Sequence, residues 1–212
     1  MSYDPKMLCT TQKQALLVID MQNDFVADGG AFDQAGFDVA RYQALEPVIY
    51  EMIDNARQSK IPVVFITMEH NEENDGEAAW KQRRVARNHP NSCRAGTWGV
   101  QPYGRLIPQE NEKRFQKHRY SAFVNDNLEI YLNELQIETL VLTGINTNVC
   151  VESTARAAHE KDFHVVLVEG ATTCAYEDVY QASIKNFARH FGAITTSEKW
   201  IGYVTDFYLE KS

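Results

Sequence analysis

The chain predicts an α/β fold in which a parallel sheet is covered by helices on both faces. Two observations carry that expectation. Short runs such as Ala15-Leu-Leu-Val-Ile19, Pro62-Val-Val-Phe-Ile-Thr67 and His164-Val-Val-Leu-Val168 are apolar almost throughout. Such runs mark strands buried on both faces, whereas a half-exposed strand alternates. Between them lie longer stretches with apolar residues at helical spacing, and strands alternating with helices imply right-handed βαβ crossovers. No internal repeat, low-complexity segment or linker interrupts the 212 residues, so one domain spanning residues 1–212 is expected.

In chain order, residues 15–20 read as a first strand ending on Asp20, followed by a polar turn and loop through residue 30. Leu45, Val48, Ile49, Met52, Ile53 and Ala56 predict one helix over residues 39–58. Residues 62–67 form the second strand. A long polar connection follows, over residues 68–109, with a short helix near residues 78–84. So long an irregular segment in a compact fold is more often functional than idle. Residues 112–118 suggest a short third strand leading to Lys117, and residues 125–136 a helix. The run Leu140-Val-Leu142 is a buried strand that Gly144 is expected to break. Thr147 or Asn148 can then cap a helix whose face carries Val151, Ala155 and Ala158. A strand at 164–169, a helix at 177–190, a short run at 193–195 and a helix after Ser197 complete the pattern.

Composition narrows the functional classes. Hydrophobic residues make up 44% and charged residues 24%, with a net charge of −8 and no basic stripe suited to nucleic acid. Cys9, Cys93, Cys150 and Cys174 are dispersed without a CxxC pair, which suggests reduced thiols and a cytoplasmic setting. No stretch approaches a membrane-spanning length, and no membrane partner is expected.

Three reactive side chains stand at or just after predicted strand ends: Asp20, Lys117 and Cys150. Ligands of open α/β sheets bind beyond those ends, near the point where strand order reverses. Cys150 falls in the first turn of its helix, where free N–H groups and the helix dipole favour a thiolate. The plain alternative is a small buried hydrophobe, the common fate of a free cysteine. In the reactive reading, Cys150 attacks a carbonyl carbon and Asp20 shuttles the thiol proton to the leaving group. Lys117 holds Asp20 ionised and favours the thiolate. Backbone N–H groups near Asn146 and Cys150 would bind the oxyanion. The alternatives are a turn cap for Asp20 and a solvated surface lysine for Lys117.

The segments Ile19-Asp-Met-Gln-Asn-Asp-Phe25, the one around Lys117, and Thr143-Gly-Ile-Asn-Thr-Asn-Val-Cys-Val-Glu-Ser-Thr154 resemble, in order, the three signatures of isochorismatase-like cysteine hydrolases. The resemblance runs from about residue 15 to residue 200. It implies a three-layer α/β/α, Rossmann-type fold with a six-stranded parallel sheet, and assembly into homodimers or homotetramers. It also implies Asp20 as catalytic carboxylate, Lys117 as its lysine, Cys150 as nucleophile and a cis peptide at Ile145–Asn146 beside the oxyanion. Asp24 is then left to support the loop.

Within such a family, the residues around Cys150 and Arg119-Tyr-Ser-Ala-Phe123 look most like ureidoacrylate and carbamoyl-amide hydrolases. The expected activity is therefore hydrolysis of a C–N bond in a small amide, ureido or carbamoyl compound through a covalent intermediate, without a cofactor. The alternatives are an isochorismatase-type ether hydrolase, a metal-assisted nicotinamidase, or a non-catalytic binding protein of the same fold. Nicotinamidases hold a metal through an aspartate and histidines. Glu69 and His70 could imitate two ligands here, but Ser92 stands where a further histidine would precede Cys93 and His89 lies three residues away, so no metal is expected. Gln22, Phe25, Trp98 and Ile145 are the expected substrate contacts, and Arg94 and Arg119 are candidates to hold a carboxylate.

Overall fold

The computed structural model describes residues 3–11 and 13–209. Its six strands form one parallel sheet in the order β3-β2-β1-β4-β5-β6. They are β1 (Gln14–Ile19), β2 (Val63–Met68), β3 (Lys113–Lys117), β4 (Thr139–Ile145), β5 (His164–Thr173) and β6 (Ala193–Thr196). Every residue of β1, β2 and β4 is buried, as their uninterrupted apolar sequences require of central strands. Edge strand β3 is mostly exposed until Lys117, which explains its charged sequence. Strand order reverses between β1 and β4, so their carboxyl ends diverge around a crevice.

Helices cover both faces. A first set, α1 (Pro5–Thr11), α2 (Asn23–Val26), α3 (Ala31–Gln34), α4 (Ala40–Gln43), α5 (Leu45–Gln58) and α6 (Ala79–Ala86), precedes β3. The second set is α7 (Asp126–Glu134), α8 (Glu152–Glu160), α9 (Glu177–His190) and α10 (Ser197–Leu209). Helix α5 buries Leu45, Ile49, Met52, Ile53 and Ala56 and packs on the sheet beside α10, which in turn meets α1. Trp200 on α10 is fully buried and donates from Nε1 to Gln14 Oε1 at 3.0 Å, tying the last helix to the first strand. No helix among the described residues is long and apolar enough to cross a membrane.

Several local expectations need correction. The single helix over 39–58 is two, broken at Ala44. Pro47 accounts for this, because its ring would collide with the carbonyl of residue 43 in a continuous helix. Residues 23–26 and 31–34 are helical turns rather than loop, drawn together by Phe25 and Phe32, whose rings lie 4.7 Å apart. Helix α1 carried no strong periodicity but buries Leu8 and Cys9. Strand β5 runs on through Glu169 and Gly170 to Thr173. Its register against β4 shifts between Leu142 and Gly144, which lets these extra residues be absorbed.

Gly144 does not break β4. It remains in the strand at φ +101°, and a Cβ there would lie 2.0 Å from the Ile19 carbonyl oxygen. Only glycine allows β4 to approach β1 this closely just before both strands deliver the site residues. Gly144→Ala should therefore lose about 3 kcal/mol of stability from combined steric and backbone strain. Chemical denaturation checks this, and an unchanged midpoint would remove the argument for close approach.

Candidate active site

Asp20 is the first residue beyond β1. Its N–H donates to the Ile66 carbonyl at 2.9 Å, continuing the ladder with β2. Its φ is +55°, a left-handed conformation uncommon for a residue with a Cβ. This turns the chain sharply, so Gln22 N–H folds back to the Asp20 carbonyl at 2.8 Å. Lys117 is the last residue of β3, in register with Met68 of β2. It starts two strands from β1, a separation of about 10 Å that a lysine stem can cross and a shorter side chain cannot.

The structure brings the three residues together. Lys117 Nζ donates to Asp20 Oδ2 at 2.8 Å, to Cys150 Sγ at 3.3 Å and to the Arg119 carbonyl at 3.2 Å. An ammonium has three hydrogens, and each has an acceptor here. Lys117 and Asp20 are each 1% exposed and Cys150 is 6% exposed. Neither a solvated lysine nor a surface turn cap describes these environments.

Burial sets the protonation preferences. Desolvation pushes the Asp20 carboxyl above its ordinary range, and the Lys117 ammonium and hydrogen bonding with Cys150 oppose that rise. Lys117 keeps its charge: burial disfavours the ammonium, but Asp20 and Cys150 outweigh that and hold its pKa above the usual lysine value. The Cys150 thiol is pushed up, first by burial and then by Asp20, with Lys117 acting in the opposite direction. The helix-dipole expectation of a lowered thiol pKa is thus reversed. A thiol without water and beside a carboxylate resists ionisation more strongly than one cation and a helix end can offset. Asp20 Oδ1 has no hydrogen-bond partner among the described residues and is free to receive a proton.

Cys150 also lies in a different turn from the one expected. Residues Thr147–Val151 form a π-helical turn, with Asn146 as its uncapped first flank, and α8 starts only at Glu152. Neither Thr147 nor Asn148 caps a helix. Thr147 Oγ1 instead pairs with Thr172 Oγ1 at 2.7 Å, joining the turn to the extended end of β5. Thr154 donates to the Cys150 carbonyl at 2.7 Å and accepts from Ala122 N–H at 3.0 Å. The Ile145–Asn146 peptide is cis, and Asn146 Oδ1 accepts from the Tyr42 hydroxyl at 2.8 Å. A π-turn commonly marks a functional site, and here it is held on every side.

Asp20 and Cys150 open into a cavity of about 290 Å³. Of the expected contacts, Phe25 and Ile145 line it, as does Asn146. Gln22 and Trp98 do not. Gln22 is buried and fully engaged: its Oε1 accepts from Met68 N–H at 2.7 Å and its Nε2 donates to the carbonyls of Met68 and Val100. It braces the loop after β1 against β2. Trp98 is 55% exposed on a short 3₁₀ turn outside the cavity. Asp24 supports the loop, accepting from Cys93 N–H at 2.6 Å and Ala31 N–H at 3.2 Å. Cys93 is wholly buried with a strongly raised pKa, set by desolvation and then by Asp24.

The aromatic wall formed by Phe32, Tyr42, Trp80, Tyr120 and Tyr176 escaped the sequence reading, because these residues come from five separate segments. One linear signal pointed toward it. The 32 residues from 78 to 109 hold six lysines and arginines and no carboxylate, whereas the other 180 hold 15 basic and 29 acidic residues. Neither Arg94 nor Arg119 lines the cavity. Arg94 binds Asp75 at 2.5 Å, while Arg119 lies 5.0 Å over the Trp80 ring and donates to the carbonyls of Asn74 and His118.

His70 is in the cavity wall and fully buried. Its Nδ1 is 3.5 Å from Asp75 Oδ1, but that carboxylate already holds Arg84 at 2.9 Å and Arg94 on its other oxygen. A divalent cation does not fit a site where two guanidinium groups occupy both oxygens of the carboxylate beside its histidine. Burial and Arg84 hold the His70 imidazole neutral, with its pKa down to about 3. Glu69 points elsewhere, accepting from Gln116 Nε2 at 2.7 Å, and His89 pairs with Ser92. Among the described residues no three His, Cys, Asp or Glu side chains form a metal-ligating group.

Comparison with known proteins finds hydrolases of similar sequence and fold. The chain is 34% identical to a ureidoacrylate amidohydrolase, RutB, of Pantoea ananatis, covering 93% of this chain and 85% of that one. Among solved structures it resembles an isochorismatase-like hydrolase from Alkaliphilus metalliredigens, with a TM-score of 0.76 and 31% identity over 90% and 98% of the two chains. It also resembles nicotinamidase PncA from Bacillus subtilis, with a TM-score of 0.73 and 30% identity over 87% of this chain and 99% of that one. The Isochorismatase domain profile matches residues 14–199, which hold the whole sheet and Asp20, Lys117 and Cys150, and the chain belongs to that family.

Proposed function

We propose that this protein is a cysteine hydrolase that cleaves the C–N bond of a small amide, ureido or carbamoyl compound. The observation that carries the reading is one buried ammonium, Lys117, touching both a carboxylate and a thiol that line a cavity. The likeness to a protein named as a ureidoacrylate amidohydrolase supports it.

The chemistry follows from the protonation preferences. Cys150 rests as a thiol and Asp20 as a carboxylate, held ionised by Lys117. As Sγ bonds to the substrate carbonyl carbon, the thiol proton passes to Asp20, and the carbonyl π electrons move onto oxygen. Backbone N–H groups at Asn146 and Cys150 receive that oxyanion, a contribution of about 3 kcal/mol per donor in comparable sites. The tetrahedral species collapses, the C–N bond breaks, and Asp20 returns the proton to the departing nitrogen. Water then adds to the thioester or thiocarbamate, giving a proton to Asp20. Collapse expels the thiolate, which recovers its proton from Asp20. Lys117 stays charged throughout and compensates whichever partner is anionic.

Cys150→Ala, Asp20→Asn and Lys117→Ala should each lower kcat/KM at least a thousandfold, and the double variants should lose little more. Ammonia release across ureido acids, carbamoyl amino acids, biuret and nicotinamide provides the assay. Ordinary turnover by any one variant would sink that residue's role.

The buried pair also predicts a stability effect separate from activity. Lys117→Met leaves an uncompensated carboxylate and should cost about 3 kcal/mol, much of which adding Asp20→Asn should recover while activity stays lost. Paired denaturation curves test this.

For pH dependence, the proton acceptor must be ionised, so alkylation of Cys150 by iodoacetamide should slow as pH falls through the Asp20 pKa. That pKa is raised above the usual carboxylate value, and Lys117 is a lowering influence on it. Lys117→Met should accordingly move this acid limb to higher pH. A shift to lower pH, or none, would contradict the assigned electrostatics.

A further inference from the structure

The cavity is uneven. Its floor holds Asp20 and Cys150, while one wall comes from α6 and the residues just after it, inside the stretch 78–109 that carries six cations and no carboxylate, although Glu72, Glu73, Asp75 and Glu77 come just before it. Two buried donors on this wall lack partners: Trp80 Nε1 and Arg84 Nε. Arg84 is only 5% exposed, with Nη1 on Asp75 at 2.9 Å and Nη2 on the Ser92 carbonyl at 2.8 Å. Its Nε–H is the one group left without an acceptor. A buried N–H without a partner is unfavourable, more so on a charged group, so two on one cavity wall call for an acceptor supplied from outside.

The charge on this wall says what kind of acceptor. Asp75 is shared between Arg84 and Arg94, which leaves one positive charge in excess. Arg83 and Arg87 line the same cavity, are exposed, and make no ion pair among the described residues. The Trp80 ring stands 4.7 Å from Tyr120 and adds a flat apolar surface. Wide aromatic walls of this kind suit a planar body rather than a compact polar molecule.

We propose that α6 and the residue just after it form a carboxylate-binding subsite, with Trp80 Nε1 and Arg84 Nε as inner donors and Arg83 and Arg87 as outer cations. This rests on the hydrolase reading and sharpens it: the compound cleaved at Cys150 is a planar, apolar amide or ureido acid. Its carbonyl lies at the floor and its carboxylate at the α6 wall. Trp80, Arg83 and Arg87 are then specificity-determining residues, since they act on the remote end of the substrate.

The test uses a matched pair of probes, 4-ureidobenzoate and phenylurea, which differ by one carboxylate. Two readouts are taken: protection of Cys150 from iodoacetamide, and ammonia release. The variants are Trp80→Phe, which keeps the ring and removes the N–H, and the double variant Arg83→Gln with Arg87→Gln, which alters exposed positions only. In the native protein the acid should protect Cys150 at about tenfold lower concentration than phenylurea, as expected for a charge-assisted hydrogen bond. Each variant should cut that advantage several-fold. Equal protection by the two probes, no protection by the acid, or an advantage indifferent to both variants would overturn the subsite. Ammonia release from both probes at equal kcat/KM would overturn it too, while leaving the hydrolase reading intact. Protection in the expected order with no Cys150-dependent hydrolysis would uphold the subsite and count against the hydrolase reading.

Discussion

A lysine ammonium removed from water must be surrounded by acceptors, and in this protein that requirement organises the reacting end of the sheet. Lys117 has three: the Asp20 carboxylate, the Cys150 sulfur and the Arg119 carbonyl. They belong to the segment after β1, the turn after β4 and the chain just beyond β3. One buried cation therefore ties together three connections that are far apart in sequence. Losing any partner exposes the others to an unbalanced charge, so binding geometry and structural integrity depend on the same contacts.

The backbone meets this demand through local departures from regular geometry. Asp20 takes a left-handed conformation to leave its strand, and Gly144 lets β4 press against β1. The chain then enters a π-turn rather than an ordinary helix start. The supports are side chains with no acid–base role. Gln22 ties the Asp20 loop to β2, Thr147 ties the π-turn to β5, and Tyr42 holds Asn146. Stiff surroundings of this kind keep the groups in place before substrate arrives, which is where positioning contributes to rate.

What the sequence made legible follows from which constraints are local. Central strands β1, β2 and β4 were visible because burial on both faces leaves a continuous apolar run. The helix break at Ala44 was missed although Pro47 signals it, because apolar spacing continues across it. Asp20, Lys117 and Cys150 stood out as reactive groups at strand ends, and their convergence follows from parallel topology. Gln22 and Trp98 were misjudged because nearness in sequence to a reactive residue says nothing about which way a side chain faces. The wall of Trp80, Tyr120 and Tyr176 has no signature in its aromatic residues, since it forms only when separate segments meet. The acid-free stretch from 78 to 109 was readable, but net charge over the whole chain concealed it.

The direction of the Cys150 pKa bears on how such a site works. A helix end alone would argue for a standing thiolate, ready to react with any electrophile or oxidant that enters. Burial and the neighbouring carboxylate instead keep the proton on sulfur. In the proposed reaction the nucleophile then forms only as the new bond forms, when Asp20 can take the proton and the departing charge moves to the carbonyl oxygen. Reactivity is thereby coupled to a carbonyl compound being correctly seated. Lys117 makes the exchange tolerable at both stages, because its distance to the carboxylate and to the sulfur is short whichever of them is charged. A fixed cation between two exchanging partners needs no reorganisation during the transfer, and at a buried cation that lack of reorganisation is the main way charge stabilisation lowers a barrier.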